Sequence, residues 1–387
     1  MVRNANGSIE GKLVHIDRPI LRIPTLAIHL DRQETFSFNK ETQLFPIAGM
    51  VAAELARKDE DPNYKKELEI RAKKNGNGNG NGNNTESTAP FSPLQVATER
   101  HHPYLVELIA SELSVNAQDI VDFEMLLYDT QKACLGGLLD EFIFSARLDN
   151  LNSSFCATLG LINSLADPKS LDSDSSIRLI ALFDHEEIGS RTAQGADSNA
   201  LPAILRRLSV LPGSSSSPSA DLSTAYEQSL STSFLLSADM AHSVNPNYAA
   251  KYEADHKPEM NKGPVIKINA NARYATNSPG LVLLQECARL AGTTAGNGAG
   301  AGTDTSSSFQ GVPLQLFVVR NDSSCGSTIG PMLSAALGVR TLDMGNPQLS
   351  MHSIRETCGT NDVRYAIKLF ESFFQHYSEL ATTILVD

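Results

Sequence analysis

The sequence lacks any cysteine pair that could bind zinc through thiolates. Its five cysteines are scattered, odd in number and without a C-x-x-C spacing; they are Cys134, Cys156, Cys287, Cys325 and Cys358. This pattern excludes the common thiolate zinc sites. It predicts reduced thiols in a reducing compartment.

Long apolar runs and clusters of basic residues are also missing. Nothing approaches 18 consecutive apolar residues, so no membrane-spanning helix is expected. The first residues, MVRNANGSIEGK, lack the apolar core of a signal peptide, which favours a cytoplasmic protein. A formal net charge of -12, without grouped Lys and Arg, argues against a nucleic-acid or anionic-membrane partner.

What is present is typical of a globular protein: 387 residues, of which 41% are apolar and 20% charged. Residues 13–30 alternate apolar and polar positions around two prolines and suit edge strands. The Asn/Gly repeat within 75–88 predicts a disordered surface insertion. After Gly136 and Gly137, strand and helix patterns alternate, which predicts an α/β domain. We therefore expect two domains, 1–136 and 137–387.

The most informative stretch is LIALFDHEEIGSR, residues 179–191. Residues 177–183 are predicted to form a buried strand that ends in Glu186 and Glu187. Ligands of open α/β sheets bind beyond the carboxyl ends of strands. Neighbouring side chains there point in different directions, so one glutamate could bind a metal while the other holds a water. The competing interpretation is a solvated acidic turn.

Other acids and imidazoles stand at the ends of predicted elements. Asp149 opens a helix whose predicted apolar face is Leu151, Phe155, Leu159 and Ile162. Asp239 follows a short predicted strand at 234–238, and His352 follows another strand. Alone, Asp149 is as well explained as a helix cap and His352 as an ordinary hydrogen-bonded histidine. Together, carboxylates and imidazole are ligands that a two-metal hydrolase needs.

The amino-acid sequence of these stretches resembles that of the aspartyl aminopeptidase family of dinuclear zinc exopeptidases. The resemblance runs from about Leu13 to the C-terminal LVD and breaks at the low-complexity insertions. It is carried by LVHIDRPILRIPTLAIHL, DEFIFSARLDNL, LFDHEEIGS, SADMAHSVNPNY, KGPVIKINANARYA, VRNDSSCGSTIGP and SMHSIRE.

The resemblance implies a role for each residue of the acidic constellation. Asp149 would bridge two Zn²⁺ ions, Glu187 and His352 would complete one metal site, and Asp239 would belong to the other. Glu186 would be the general base that activates water for hydrolysis of the peptide bond.

The resemblance also implies substrate contacts. His29, from the inserted domain of a neighbouring subunit, would donate to the oxyanion. Lys267 would meet the acidic side chain of the substrate, since a buried cation needs an anionic partner; a surface position at a strand end would explain this lysine equally well. His242 and Tyr274 are weaker candidates for the substrate pocket.

The architecture implied by the family is a zinc-exopeptidase catalytic domain, with a mixed sheet flanked by helices, and an inserted, mainly β dimerisation domain. Homodimers would build a dodecamer. A further family ligand, a histidine in a His-Thr-Asp-Ser-Pro stretch, has no counterpart here. We therefore expect the front part of the catalytic domain, and one zinc-ligand histidine, to be missing.

The expected activity is removal of N-terminal Asp or Glu from peptides. One alternative is the related vacuolar aminopeptidase type, which prefers apolar residues and would place the protein in the vacuole. Another is a catalytically silent subunit that acts only in assembly or as autophagic cargo.

Overall fold

The computed structural model describes residues 1–30, 37–50, 96–172, 174–211, 222–291 and 311–384. The predicted Asn/Gly insertion at 75–88 lies outside them. The chain divides into two compact units, Met1–Thr130 and Gln131–Asp387. The division falls a few residues before Gly136, near which we expected the domains to join.

The described part of Met1–Thr130 contains little β structure. Strands β1 (Val2–Arg3) and β2 (Ile9–Glu10) pair antiparallel, and the helices are α1 (Ala97–Arg100) and α2 (Pro103–Leu113). Val106, Ile109 and Ala110 of α2 anchor a small core. The prediction of strands over 13–30 is wrong for the described structure, where that stretch forms one isolated bridge, Arg22 with Ile47. Alternation alone does not supply a pairing partner.

The second unit, Gln131–Asp387, contains both strands and helices, as expected for an α/β domain, but they alternate one by one only from Val265 to Gly345. Its strands are β3 (Cys134–Gly136), β4 (Phe142–Ser145), β5 (Phe234–Ala238), β6 (Ala241–His242), β7 (Val265–Ile268), β8 (Gln315–Val318), β9 (Arg340–Gly345), β10 (Pro347–Leu349) and β11 (Glu356–Gly359). Its helices are α3 (Leu148–Ser164), α4 (Ala200–Ser209), α5 (Ala225–Ser231), α6 (Ser278–Leu290), α7 (Gly330–Leu337) and α8 (Thr360–Thr383).

The strands form two mixed sheets. One has the order β3-β4-β11-β10-β6, antiparallel except for the parallel pair of β10 and β6. The other has the order β5-β9-β7-β8, with β9 and β7 antiparallel. The mixed sheets expected for the catalytic domain are therefore present.

Helices cover both faces of the β5-β9-β7-β8 sheet. Successive residues of a strand point to opposite faces. Accordingly, Phe234 and Leu236 of β5 pack in the core shared with α3, α6 and α8, whereas Leu235 packs with α4 and α7. The β5 strand is thus held by apolar contacts on both sides.

The predicted apolar face of α3 is wrong. Leu151, Phe155 and Ile162 are more than half exposed in this structure. The buried face instead carries small or polar residues, namely Asn152, Ser153, Cys156, Ala157, Gly160 and Ser164. Small side chains let α3 approach α8 closely, so the packing geometry overrides the apolar pattern.

The predicted buried strand at 177–183 is also wrong. The structure assigns no strand there, and Ile177 and Leu182 are largely exposed. Leu179 and Phe183 still pack with the α4 and α7 core, and Ile180 packs on the opposite core. The apolar run therefore correctly indicates that Leu179, Ile180 and Phe183 pack against the core, but a strand also requires a hydrogen-bonding neighbour.

No helix among the described residues is long and apolar enough to cross a membrane.

Gly160 should be intolerant of a side chain. A Cβ at this position would lie 2.5 Å from Cβ of Phe370 in α8 and 3.0 Å from the backbone nitrogen of Glu371. We expect Gly160→Ala to lower the free energy of unfolding by about 1–3 kcal/mol through overpacking. Chemical denaturation measures this change.

The control is Asn163→Ala, at an exposed position of the same helix, where alanine favours the helix. Equal stability of Gly160→Ala and the wild type would contradict the proposed close packing of α3 on α8.

Candidate metal centre

The candidate site lies where the two sheets of Gln131–Asp387 join. The chain leaves β5 at Ala238 and enters β6 at Ala241, so Asp239 stands between the sheets. Its backbone N–H donates to Met344 O at 2.9 Å. A Cβ at Gly345 would collide with the carbonyl oxygen of Asp239. Glycine is therefore required at 345 for this approach.

Three predicted metal ligands meet at this junction. The ligand atoms of Asp149, Glu187 and His352 all lie within 4.8 Å of one another. Nε2 of His352 is 3.2 Å from Oδ2 of Asp149 and 3.4 Å from Oε1 of Glu187. The Asp149 side chain is buried, whereas those of Glu187 and His352 are more than half exposed. The cluster is thus anchored in the protein and open to solvent on one side.

The backbone around these residues is irregular. Asp149 has non-helical angles within α3, and the Asp149–Asn150 peptide bond is cis. His352 has a φ of 64°, and His185, before the Glu186–Ile188 3-10 turn, has a φ of 61°. Left-handed non-glycine residues are uncommon and concentrate at functional sites.

Asp239 is held from two sides. Nζ of Lys267 lies 3.1 Å from its Oδ2, and Nδ2 of Asn150 donates to its Oδ1 at 2.6 Å. Oδ1 of Asn150 in turn accepts the N–H of Met240 at 2.8 Å. Asn150 therefore ties the start of α3 to the end of β5, a role that the sequence analysis did not assign.

The crowded carboxylates perturb one another. Burial, and then the neighbouring Asp239, Glu187 and Glu356 carboxylates, raise the pKa of Asp149 to about 8. Burial also acts to raise the pKa of Asp239, but the Lys267 ammonium and the Asn150 hydrogen bond lower it on balance. Burial and the Asp239 and Glu187 charges raise the pKa of Glu186. The site thus carries more negative charge than its own cations balance.

These residues fit a divalent metal. Oδ1 of Asp149 is buried and accepts no hydrogen bond from the described residues. Buried carboxylate oxygens are costly without a donor or cation. Two carboxylates and an imidazole form a ligand set that suits zinc. A cation at this cluster would satisfy the orphaned oxygen and offset the excess charge.

The predicted substrate residues surround Asp239, except for His29. Lys267 is only 2% exposed, so its alternative interpretation as a surface strand end is wrong, and it is paired with Asp239 rather than free. Nζ of Lys267 lies 5.4 Å from the centre of the Tyr274 ring. Burial, and then the Lys267 charge, lower the pKa of His242. His29 is exposed in a turn of Met1–Thr130.

Glu356 is a further residue of the site that the sequence did not predict. It is buried, and its carboxylate accepts the backbone N–H of Asp149 at 3.0 Å and of His352 at 2.8 Å. The only available signal was its place in the SMHSIRE stretch, four residues after His352.

The fold and the site together define an α/β protein with a candidate site for a divalent metal ion, built from Asp149, Glu187 and His352. The model of the Aminopeptidase I zinc metalloprotease (M18) family matches residues 1–374. The chain therefore belongs to the M18 family and is a zinc metallo-aminopeptidase by that membership, as the sequence predicted.

Comparisons with individual relatives support the same family assignment. The chain is 70% identical over its whole length to an aspartyl aminopeptidase of Aspergillus oryzae, of which it spans 72%. A solved complex of Ape4 and Nbr1 covers all of this chain with 45% identity and a TM-score of 0.81; the chain spans 63% of that Ape4 chain, less than two thirds. The Saccharomyces cerevisiae mApe1 dodecamer covers 74% of this chain, which spans 58% of that one, with 31% identity and a TM-score of 0.61.

These matches bear on two other expectations. Because the family match begins at the first residue, it gives no support to a missing front part of the catalytic domain. The relatives are named as aminopeptidases, which does not favour the alternative of a catalytically silent assembly subunit.

Zinc should stabilise the folded chain through Asp149. We expect zinc added to chelator-treated protein to raise the midpoint of thermal unfolding, since a ligand at 100 times its Kd contributes about 2.7 kcal/mol. Asp149→Asn should lose most of this increase, because the buried ligand is removed.

The matched control is Asp184→Asn, a largely exposed carboxylate beside the same turn. It should keep the full effect of zinc. Equal responses of the Asp149 and Asp184 variants in differential scanning calorimetry would exclude the cluster as the metal site.

Proposed function

We propose that this chain removes N-terminal Asp or Glu residues from peptides. The observation that carries the acidic preference is the buried Lys267 ammonium, 3.1 Å from Asp239 and beside the candidate metal ligands. If a metal ion takes up part of the negative charge of Asp239, the Lys267 ammonium is no longer fully balanced by this carboxylate. A carboxylate of the substrate side chain can supply the remaining negative charge through a charge-assisted hydrogen bond. The name of the 70% identical relative, aspartyl aminopeptidase, supports the same preference.

Asp149, Glu187 and His352 would hold one zinc ion, and Asp149 and Asp239 would contribute to a second. The clustered ligand atoms and the orphaned Oδ1 of Asp149 support the first site. The proximity of Asp239 to Asp149, whose carboxylates perturb each other's pKa, supports a bridging role for Asp149. Zinc, when bound, acts as a Lewis acid towards water and the scissile carbonyl.

Glu186 would be the general base. It occupies the same 3-10 turn as Glu187 but is half-buried, and its charge interacts with Asp239, Glu187, His352 and Lys267. A carboxylate so placed can accept a proton from the attacking water and return it to the leaving amine. Glu187, more exposed and 3.4 Å from His352, would be a metal ligand instead.

His29 would donate to the oxyanion of a neighbouring subunit in a closed oligomer. Its exposure on Met1–Thr130 leaves it free to reach another chain. The mApe1 relative is described as a dodecamer, which supports self-assembly through homodimers here. His242 and Tyr274, near Lys267, would shape the pocket for the substrate side chain.

Substitutions of the two glutamates in the 3-10 turn should have different effects on zinc content and on kcat. Glu186→Gln should leave zinc content unchanged and lower kcat by about a thousandfold, because the proton acceptor is lost. Glu187→Gln should lower zinc content, because a ligand charge is lost. Elemental analysis and turnover of an Asp-anilide measure both effects, and equal zinc loss in the two variants would refute this division of roles.

Lys267→Met should relax the acidic preference. The substitution keeps a buried apolar stem but removes the ammonium, so the ratio of kcat/KM for Asp over Leu anilides should fall by about tenfold or more. Any disturbance of Asp239 acts on both substrates and cancels in the ratio. Lys262→Met, at an exposed position before the same strand, is the control. An unchanged ratio in Lys267→Met would place the acidic pocket elsewhere.

A further inference from the structure

Glu356 connects two of the candidate metal ligands through their backbones. Its Oε2 accepts the N–H of Asp149 at 3.0 Å, and its Oε1 accepts the N–H of His352 at 2.8 Å. Asp149 is 207 residues away in sequence, whereas His352 is four residues away. One carboxylate therefore connects two chain segments that lie far apart in the sequence.

The sheet register explains why Glu356 can reach both. Glu356 is the first residue of β11 and pairs with Ser145, the last residue of β4. The chain leaves β4 towards Asp149 and enters β11 from His352. The antiparallel pair thus delivers both ligands to the same end of the two strands, with Glu356 between them.

Burial of the Glu356 carboxylate costs desolvation free energy. Glu356 is 2% exposed, and the described residues place no Lys, Arg or His within ion-pair distance of it. Besides the two backbone N–H groups, Gln348 Nε2 lies 3.5 Å from Oε1. An apolar side chain of similar volume would avoid the cost of desolvation. Its contribution therefore lies in what it holds in place.

The backbone that it holds needs such support. His352 has a left-handed φ of 64°, and Ser350, two residues before it, has a φ of 59°. The left-handed conformation of a non-glycine residue persists only when surrounding contacts determine it. One of the two N–H groups bonded by Glu356 belongs to His352, and the other belongs to Asp149, whose extended angles interrupt α3.

We propose that Glu356 is a positioning residue that sets the spacing of Asp149 and His352 and so preorganises the cluster for a divalent cation. The inference rests on the proposed function, in that these two residues are taken as metal ligands. Both Glu356 oxygens accept backbone N–H groups, so Glu356 would act through Asp149 and His352 rather than as a ligand. Residues that orient metal ligands typically contribute about 10–100-fold to metal affinity.

The test compares Glu356→Gln with Asp362→Asn. Asp362 is also a buried carboxylate whose two oxygens each accept one backbone N–H, from Asn261 at 2.6 Å and Gly263 at 2.8 Å. Neither donor is a candidate ligand. In each variant the new amide can serve only one of the two N–H groups, so both should lose similar stability in chemical denaturation of the metal-free proteins.

The distinguishing measurement is the Kd for Zn²⁺, obtained by competition with a chromogenic chelator. We expect Glu356→Gln to raise the Kd by about 10–100-fold and Asp362→Asn to stay within about threefold of the wild type. Glu356→Asp keeps the charge but shortens the side chain, so it reaches at most one N–H group and should raise the Kd to a lesser degree. This variant decides the matter if Glu356→Gln does not fold.

Wild-type zinc affinity in either Glu356 variant, or equal weakening in Glu356→Gln and Asp362→Asn, would overturn the inference. If the wild-type protein itself takes up no zinc, the proposed function fails instead. The two failures are therefore distinguishable.

Discussion

An excess of negative charge at the junction of two sheets is the constraint on which the rest of the site depends. Five carboxylates gather there, namely Asp149, Glu186, Glu187, Asp239 and Glu356. Lys267 balances Asp239, while burial and the neighbouring carboxylates raise the pKa of Asp149 to about 8. A bound cation would resolve the excess more completely, because like charges at short range oppose ionisation in a buried site.

The fold meets this constraint by fixing Asp149 and Asp239 in separate ways. Asn150 hydrogen-bonds Asp239, whereas Glu356 hydrogen-bonds the backbone of Asp149. Gly345 admits the backbone of Asp239 at the point where the chain passes from one sheet to the other. Such fixed contacts keep repelling groups at short separations without side-chain rearrangement. Preorganisation of this kind is what a metal centre requires of its surroundings.

Prediction from sequence succeeded where the physical signal is local. The strand Phe234–Ala238 is present, because a short apolar run bounded by polar residues suits a buried strand. It failed for residues 177–183, which have no hydrogen-bonded strand neighbour in the part of the chain that the structure describes. It also failed for the buried face of α3, where Gly160 packs directly on Phe370 and close approach matters more than apolar area.

The sequence by itself determined the family. It also determined the types of residue at the ends of the elements, including Glu186, Glu187 and His352. The family and these residue types can be identified from sequence because short contiguous motifs contain them. The tertiary structure alone decided that the ligand atoms of Asp149, Glu187 and His352 meet within 4.8 Å. It also decided that Lys267 is paired inside the protein, that Glu356 hydrogen-bonds the backbones of Asp149 and His352, and that Asn150 hydrogen-bonds Asp239. These contacts join residues far apart in the chain, and Coulomb and hydrogen-bond energies depend on distance in space, which only sheet register and helix packing set.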